Sequence, residues 1–401
     1  MNVAIVVNTS WNIFNFRLGL VRTLLAQGHT IHTVAPTDRC TKYLVMTGCI
    51  HHHVHMDSRG ANPIKDAALA IELWSLYRKI KPDVVLHYTI KPNIYGTFAA
   101  ALLKIPIVNN VCGLGTVFLK ANLTSAFALM LYKIAFRFPR KVFFQNPDDL
   151  SLFLEKKLVA PEIVDLVPGS GIDLNRFTPQ PFARNEPFTF LLISRLIIDK
   201  GVMEYIEAIR LLHAKGVKAR FQILGAKDPK HKRGIKLPTI DRWIEDGVVE
   251  YLGTTEDVRP FIHNADCIVL PSYREGTPRV LLEAASSGKP IITTAVPGCR
   301  QVVEHNYNGL LCLQKYPEDL GQKMMEMSEF DTQSLRTFGE NGRKKMEKEF
   351  SESVVIAKYL QALWDLDRVV ATEAAAPFFR KIFTLSWRQF TKKVMWFTKN
   401  R

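Results

Sequence analysis

No C-x-x-C pair occurs in the 401 residues; the six cysteines (Cys40, Cys49, Cys112, Cys267, Cys299, Cys312) stand far apart. That excludes a zinc ribbon or a dithiol redox motif and fits reduced thiols in the cytoplasm. Nowhere do about 18 uncharged apolar residues run together, so no membrane-spanning helix is expected. The opening MNVAIVVNTS has no basic segment ahead of its short apolar run; it reads as a buried first strand, not a signal peptide. Short-period repeats are absent. Acidic residues are in deficit, 38 against 53 Lys and Arg, a net charge of +15. Such a balance calls for an anionic partner: nucleic acid, an acidic membrane surface or phosphorylated small molecules. A recognisable RNA module or zinc motif is missing, which disfavours nucleic acid.

What is present is enough chain for two cores, with 47% apolar and 23% charged residues, an ordinary globular composition. In the first half, Val3–Val7, Ile31–Ala35, Val84–Tyr88 and Ile107–Val111 read as strands. Phe16–Gln27, Pro63–Lys79 and Ile94–Leu103 read as helices between them. The alternation restarts with Phe188–Ile193, Val202–Lys215, Ala219–Leu224, Val248–Leu252, Cys267–Leu270 and Pro290–Thr293. This is an α/β pattern with two parallel, doubly wound sheets. The expected organisation is a first domain over 1–167, a Gly/Pro-rich linker over 168–187 and a second domain over 188–350. A helix over 351–367 and a basic, aromatic tail over 368–401 complete it. Open parallel sheets bind ligands beyond the carboxyl ends of their strands, so two facing sheets imply a cleft between them.

The strongest chemical signal follows the strand CIVLPS, in YREGTPRVLLEA. Glu275 falls in the strand-to-helix loop and Glu283 in the helix after it, with Thr277 as the expected N-cap and Pro278 in the first turn. Two such carboxylates accept hydrogen bonds from two sets of sugar hydroxyls, and the helix start between them suits a diphosphate. Read alone, both glutamates are as easily solvated charges. The second signal is SRLIIDKG, which puts Arg195 and Lys200 at a strand end beside a helix start, where cations neutralise a leaving diphosphate. After the strand FQIL, Gly225 lets backbone approach a ligand closely.

These segments, with PGSGIDLNRF, EGTPRVLLEAASSGKPIITT, PGCRQVV and NGLL, resemble the retaining GT-B glycosyltransferases that include bacterial mannosyltransferases and glycogen synthases. The resemblance runs over roughly residues 1 to 365 and implies two Rossmann-like domains, the second holding a nucleotide-sugar. It implies that Arg195 and Lys200 bind the donor diphosphate, Glu275 the sugar and Glu283 the ribose. Gly225, Gly276, Thr277 and Pro278 would line the same pocket. In the first half, NTSWNIFNFRLGL, DSRGANPIKD, HYTIKPNIYG and NNVCGLGTVF are similar to enzymes that extend lipid-diphosphate-linked oligosaccharides in bacteria. The similarity is greatest to the N-acetylgalactosaminyltransferase type acting on undecaprenyl-diphosphate bacillosamine. It implies a UDP-sugar donor such as UDP-N-acetylgalactosamine and a polyprenyl-linked glycan acceptor; with no D-x-D at a mid-chain strand, no metal cofactor is expected. Asn15, Lys91, Asn109 and Asn110 are the acceptor-side candidates. The chain departs from its relatives in having Ser10–Asn15 where many have a glycine-rich loop, and Cys112 where many have a histidine. Asn109, Asn110 or a backbone group would stand in for that histidine.

Four other signals are weighed. His51, His52, His53 and His55 alternate across a strand-like stretch, so His53 and His55 are the plausible same-face metal pair, against a structural reading. Asp365-Leu-Asp367 ends a helical pattern and reads as surface charge. Leu123–Phe138, followed by Arg140 and Lys141, is either a core helix with a cationic end or a membrane-docking helix. From Pro377 the tail repeats Phe379, Ile382, Phe383, Trp387, Phe390, Val394 and Phe397 at helical spacing among cations, which reads as an anchor to an anionic membrane surface on the cytoplasmic side. The rival readings are a sugar-nucleotide epimerase of similar shape and a basic nucleic-acid-binding protein.

Overall fold

A computed structural model describes residues 1–57, 60, 62–113 and 123–373. The elements in chain order are β1 (Asn2–Val6), α1 (Ser10–Ala26), β2 (Thr30–Val34), α2 (Thr41–Met46), β3 (Ile50–His52), α3 (Pro63–Ile80), β4 (Val84–Tyr88), α4 (Thr97–Leu102) and β5 (Ile107–Val111). The first sheet is completed by α5 (Leu123–Ala135), β6 (Lys141–Phe144), α6 (Pro147–Glu155) and β7 (Val164–Leu166). Then follow β8 (Phe188–Ile193), α7 (Val202–Ala214), β9 (Ala219–Leu224), α8 (Leu237–Glu245), β10 (Glu250–Tyr251), α9 (Arg259–Asn264) and β11 (Cys267–Leu270). Last are α10 (Arg279–Ser286), β12 (Ile291–Thr294), α11 (Cys299–Val302), β13 (Gly309–Cys312), α12 (Pro317–Glu329), α13 (Thr332–Lys345) and α14 (Glu352–Glu373).

The strands form two parallel sheets, β3-β2-β1-β4-β5-β6-β7 and β10-β9-β8-β11-β12-β13. Their central strands are continuous apolar runs because helices cover both faces: Val3 to Val7 and Val84 to Leu86 are fully buried, as are Phe190 to Leu192 and Cys267 to Val269. In each sheet the order reverses at one place, between β1 and β4 and between β8 and β11. Both sheets belong to one compact unit, Met1–Lys358; a second unit begins at Tyr359 within α14. The tail from Pro377, and with it the expected amphipathic anchor, lies outside the described residues.

Some boundaries moved for identifiable reasons. Helix α1 starts at Ser10, not Phe16, because Thr9 is extended and its Oγ1 accepts from Asn12 N at 3.1 Å, which caps the first turn. The helix expected from Ile94 opens as a π-helical turn, Pro92–Gly96, before becoming α4. The Asp365-Leu-Asp367 triplet lies inside α14, which runs on to Glu373.

Candidate active site

The switch point of the second sheet carries the charged pair. Lys200, in the turn after β8, donates to Glu275 Oε1 in the loop after β11, and Ser272 Oγ donates to the same oxygen at 2.6 Å. Neither is an exposed surface charge: the side chains are 23% and 13% accessible. Arg195, at the exit of β8, is half exposed and lies 3.7 Å from Asp228. Gly225, at the exit of β9, has φ +147°, and a Cβ there would run into Ser194 O, so the β9 loop lies directly on the β8 loop.

Thr277 does not cap the helix. Its Oγ1 donates to Gln145 O at 3.0 Å, across to the first sheet, and Pro278 occupies the N-cap of α10 in extended conformation without a side-chain cap. The hydroxyl is committed elsewhere, so the expected N-cap moves one residue on. Gly276 sits where a Cβ would come within 2.6 Å of Cys112 O and 2.9 Å of Gln145 Oε1. Glu283, in the second turn of α10, is partly buried, its side chain 14% exposed, and pairs with Arg279 at 3.1 Å. Burial pushes the Glu283 carboxyl up, and Arg279 pulls it the other way. Arg279 also donates to Ser170 Oγ at 3.0 Å and Gly171 O at 3.2 Å.

The first sheet departs more from expectation. Asn109 is fully buried: its Nδ2 donates to Thr97 Oγ1 at 2.9 Å and its Oδ1 lies 3.0 Å from His87 Nδ1. His87 in turn meets the Tyr77 hydroxyl at 3.0 Å. Asn109 is thus a mid-strand residue whose side chain is taken up by this buried network. Asn110 is also buried, with Cys112 Sγ 3.1 Å from its Oδ1. Lys91 is paired with the buried Asp66 at 2.7 Å, so its charge is already compensated. Asn15 donates to Trp11 O at 2.9 Å, one turn back along α1.

Sequence reasoning passed over Arg17. It is 5% exposed, stacks 4.4 Å from the centre of the Tyr88 ring at the end of β4 and approaches Cys112 Sγ at 3.7 Å. An arginine amid the apolar residues of an amphipathic helix was the available signal. The histidines sort into structural contacts: His32 Nδ1 and His52 Nε2 lie 3.0 Å apart, and His51 and His53 meet Thr37 Oγ1 at 3.3 and 3.0 Å. Among the described residues no group of three His, Cys, Asp or Glu is placed to hold a metal ion, and no helix is long and apolar enough to cross a membrane.

Comparison with known proteins matches residues 175–345 to the family "Glycosyl transferases group 1" and residues 2–146 to "Glycosyl transferase 4-like". A relative from Campylobacter jejuni, an N,N'-diacetylbacillosaminyl-diphospho-undecaprenol alpha-1,3-N-acetylgalactosaminyltransferase, is 26% identical over 92% of this chain and 99% of its own length. An Escherichia coli UDP-Gal:alpha-D-GlcNAc-diphosphoundecaprenol alpha-1,3-galactosyltransferase is 26% identical over 63% of this chain and 68% of its own. Among solved structures, Anabaena HepE in complex with UDP and glucose superposes with a TM-score of 0.75 at 17% identity, covering 90% of this chain and 99% of that one. The WaaG glycosyltransferase of lipopolysaccharide biosynthesis gives 0.69 at 18% identity, over 89% and 98%. These structural likenesses establish the two-domain GT-B architecture.

Proposed function

The chain is a glycosyltransferase of the group 1 type with the GT-B fold, and on that premise we propose that it moves a sugar from a UDP-sugar to a polyprenyl-diphosphate-linked glycan. The reading places it in the assembly of bacterial surface polysaccharide or glycoprotein glycan, with the anomeric configuration retained. One observation carries it: Lys200 and Glu275 meet at the β8/β11 switch point, where open parallel sheets take nucleotide ligands. The names of the two undecaprenol-diphosphate relatives support the acceptor class.

Lys200 and Arg195 would stabilise negative charge growing on the leaving diphosphate, and Glu275 would hold the donor sugar while Glu283 takes the ribose. In the structure Lys200 is shared with Glu275, so an arriving diphosphate competes for the ammonium and frees the carboxylate for sugar hydroxyls. The acceptor hydroxyl would attack from the face the diphosphate leaves, passing its proton to a departing phosphate oxygen. Positioning and charge stabilisation then supply the rate enhancement without a dedicated base. With Lys200 and Arg195 supplying the charge a metal would otherwise supply to the diphosphate, turnover is expected to persist in excess EDTA; loss restored by magnesium or manganese would overturn the metal-free route.

Attachment to the inner face of the cell membrane belongs to the same proposal. Helix α5 buries Tyr132 and Ala135, but leaves Phe127, Met130 and Ile134 at 38–49% exposure, with Phe138 just beyond it at 39%. The three on the helix fall within about 60° of helical arc. Exposed Lys133 and Arg137 flank them, the combination that suits an anionic lipid surface. The deciding experiment offers purified protein a panel of UDP-sugars with a synthetic polyprenyl-diphosphate-linked acceptor. Acceptor-dependent UDP release with a new glycosidic product is expected; epimerised donor with no transfer would overturn the proposal.

A further inference from the structure

The loop that carries Glu275 is held from outside its own sheet. Asn146 caps α6, its Oδ1 accepting from Asp149 N at 2.8 Å, while its Nδ2 donates to Gly276 O at 2.9 Å. Asp149 is fully buried and pairs with Arg274. Asp148 pairs with Arg300 and accepts from Gln301 Nε2 at 2.9 Å. Gln301 Oε1 in turn accepts from Gly298 N at 2.6 Å, and Thr277 Oγ1 donates to Gln145 O. Residues 145–149 thus grip residues 274–277 and 298–301. Capping accounts for Asn146 and for acids in a first helical turn. It does not account for two arginines of the second sheet converging on those acids.

We propose that the first turn of α6 positions the donor loop: Asn146, Asp148 and Asp149 fix Arg274, Gly276 and Arg300, and through them set Glu275 against Lys200. A buried ion pair is poor at adding stability, but each partner is costly to leave alone, so such a pair favours one registration of the two surfaces over others. Arg274 Nε is buried without a hydrogen-bond partner, which raises the cost of losing Asp149 further. Burial pushes the Asp149 carboxyl up, and Arg274 opposes that shift. These are positioning residues: none touches the reacting atoms, and their effect on transfer runs through the loop. The inference rests on the reading of the site given above.

The test uses the full chain with Asp149→Asn, Arg274→Gln and the double variant. Each single change is expected to lower kcat about tenfold while the Kd for UDP, read by calorimetry, moves less than about threefold; the double variant is expected to be no worse than the worse single, as for one shared interaction. Hydrogen exchange of the peptide spanning 272–279 should quicken about tenfold in these variants, with the β8 peptide unchanged. Should Asp149→Asn fail to fold, Asp148→Asn and Arg300→Gln, on the more exposed pair, take its place and should loosen the same peptide about threefold. Wild-type exchange at 272–279, kinetic losses that multiply in the double variant, or a weakened UDP Kd that explains the whole loss would each overturn the proposal. If the unaltered chain releases UDP from no donor, the functional proposal fails, while the exchange data still decide the positioning role.

Discussion

Two sheets of the same hand and nearly the same order treat their polar residues in opposite ways. In the second sheet the Lys200–Glu275 pair lies beyond the strand ends, across the switch point. The first turns polar side chains inward from mid-strand, where His87, Asn109, Thr97 and Tyr77 satisfy one another in the core. On the proposed reading, position along the strand separates the candidate ligand groups, which lie in the loops after β8 and β11, from His87 and Asn109, which lie within their strands.

Breaking the charged end should have the largest effect. Lys200→Ala is expected to lower kcat about a hundredfold, the usual cost of removing a charge-stabilising group from an active site. Arg195→Ala, at a more exposed cation, is expected to cost nearer tenfold. Steady-state kinetics at saturating donor measure both, and near-normal kcat in the lysine variant would remove the basis for the comparison.

Breaking the buried network should show up as stability. Asn109→Ala leaves His87 Nδ1 without its buried partner and removes the bond to Thr97 Oγ1, and is expected to cost about 2 kcal/mol in urea unfolding. Acceptor KM should stay within about threefold of wild type, because a substitution confined to the core alters stability more than binding. An unchanged unfolding midpoint with a tenfold higher acceptor KM would return Asn109 to the acceptor side.

The same contrast explains what was legible in the sequence. Of the second domain's candidates, Arg195, Lys200 and Glu275 follow recognisable strands β8 and β11, so their position at the strand ends was legible, whereas the N-cap expected at Thr277 fell one residue on. In the first domain, Asn109 and Asn110 lie inside Ile107–Val111, where single-sequence reading sees polarity but not which polar neighbour waits across the sheet. Lys91's pairing is not legible from the sequence, because Asp66, its partner, lies 25 residues away. Short strands such as β6, β7 and β13 carry too few residues to show a period. The α6 contacts were invisible for a related reason: a Pro-Asp-Asp helix start is fully explained by capping until the arginines of another sheet arrive beside it.

Acid sharpens the difference between the two sheets. Burial lowers the His87 pKa to about 3 and that of half-buried His52 to about 4. In the unfolded chain His87 takes up a proton near pH 6.5, but in the fold not until near 3, so between these values the unfolded state binds more protons. Its contribution to stability is therefore intact above pH 6.5 and falls as pH drops, by about 1.4 kcal/mol per unit at most. Urea titrations at pH 7, 6 and 5 on wild type and His87→Gln would measure this. The substituted protein should be less stable at pH 7 yet show a flatter decline; parallel declines would mean that His87 does not titrate as its burial dictates.

The smallest effects concern the membrane, and they set an element of the first domain against the end of the chain. Lys133→Gln removes one exposed cation from the α5 face and is expected to weaken binding to vesicles rich in anionic lipid about fivefold, equivalent to about 1 kcal/mol. Met130→Glu with Ile134→Glu should weaken it further, since both apolar insertion and surface attraction are lost. Neither change touches the Lys200–Glu275 pair, so transfer to a short water-soluble acceptor should be retained. Deleting 377–401 removes the second basic, aromatic segment, and two weak anchors on one chain multiply each other's effect through local concentration. If both contribute, each alteration alone leaves partial sedimentation with vesicles and the combination abolishes it. Full loss on tail deletion, with Lys133→Gln and the double glutamate variant binding as wild type, would assign the anchor to the tail and leave α5 as a core helix with a cationic end.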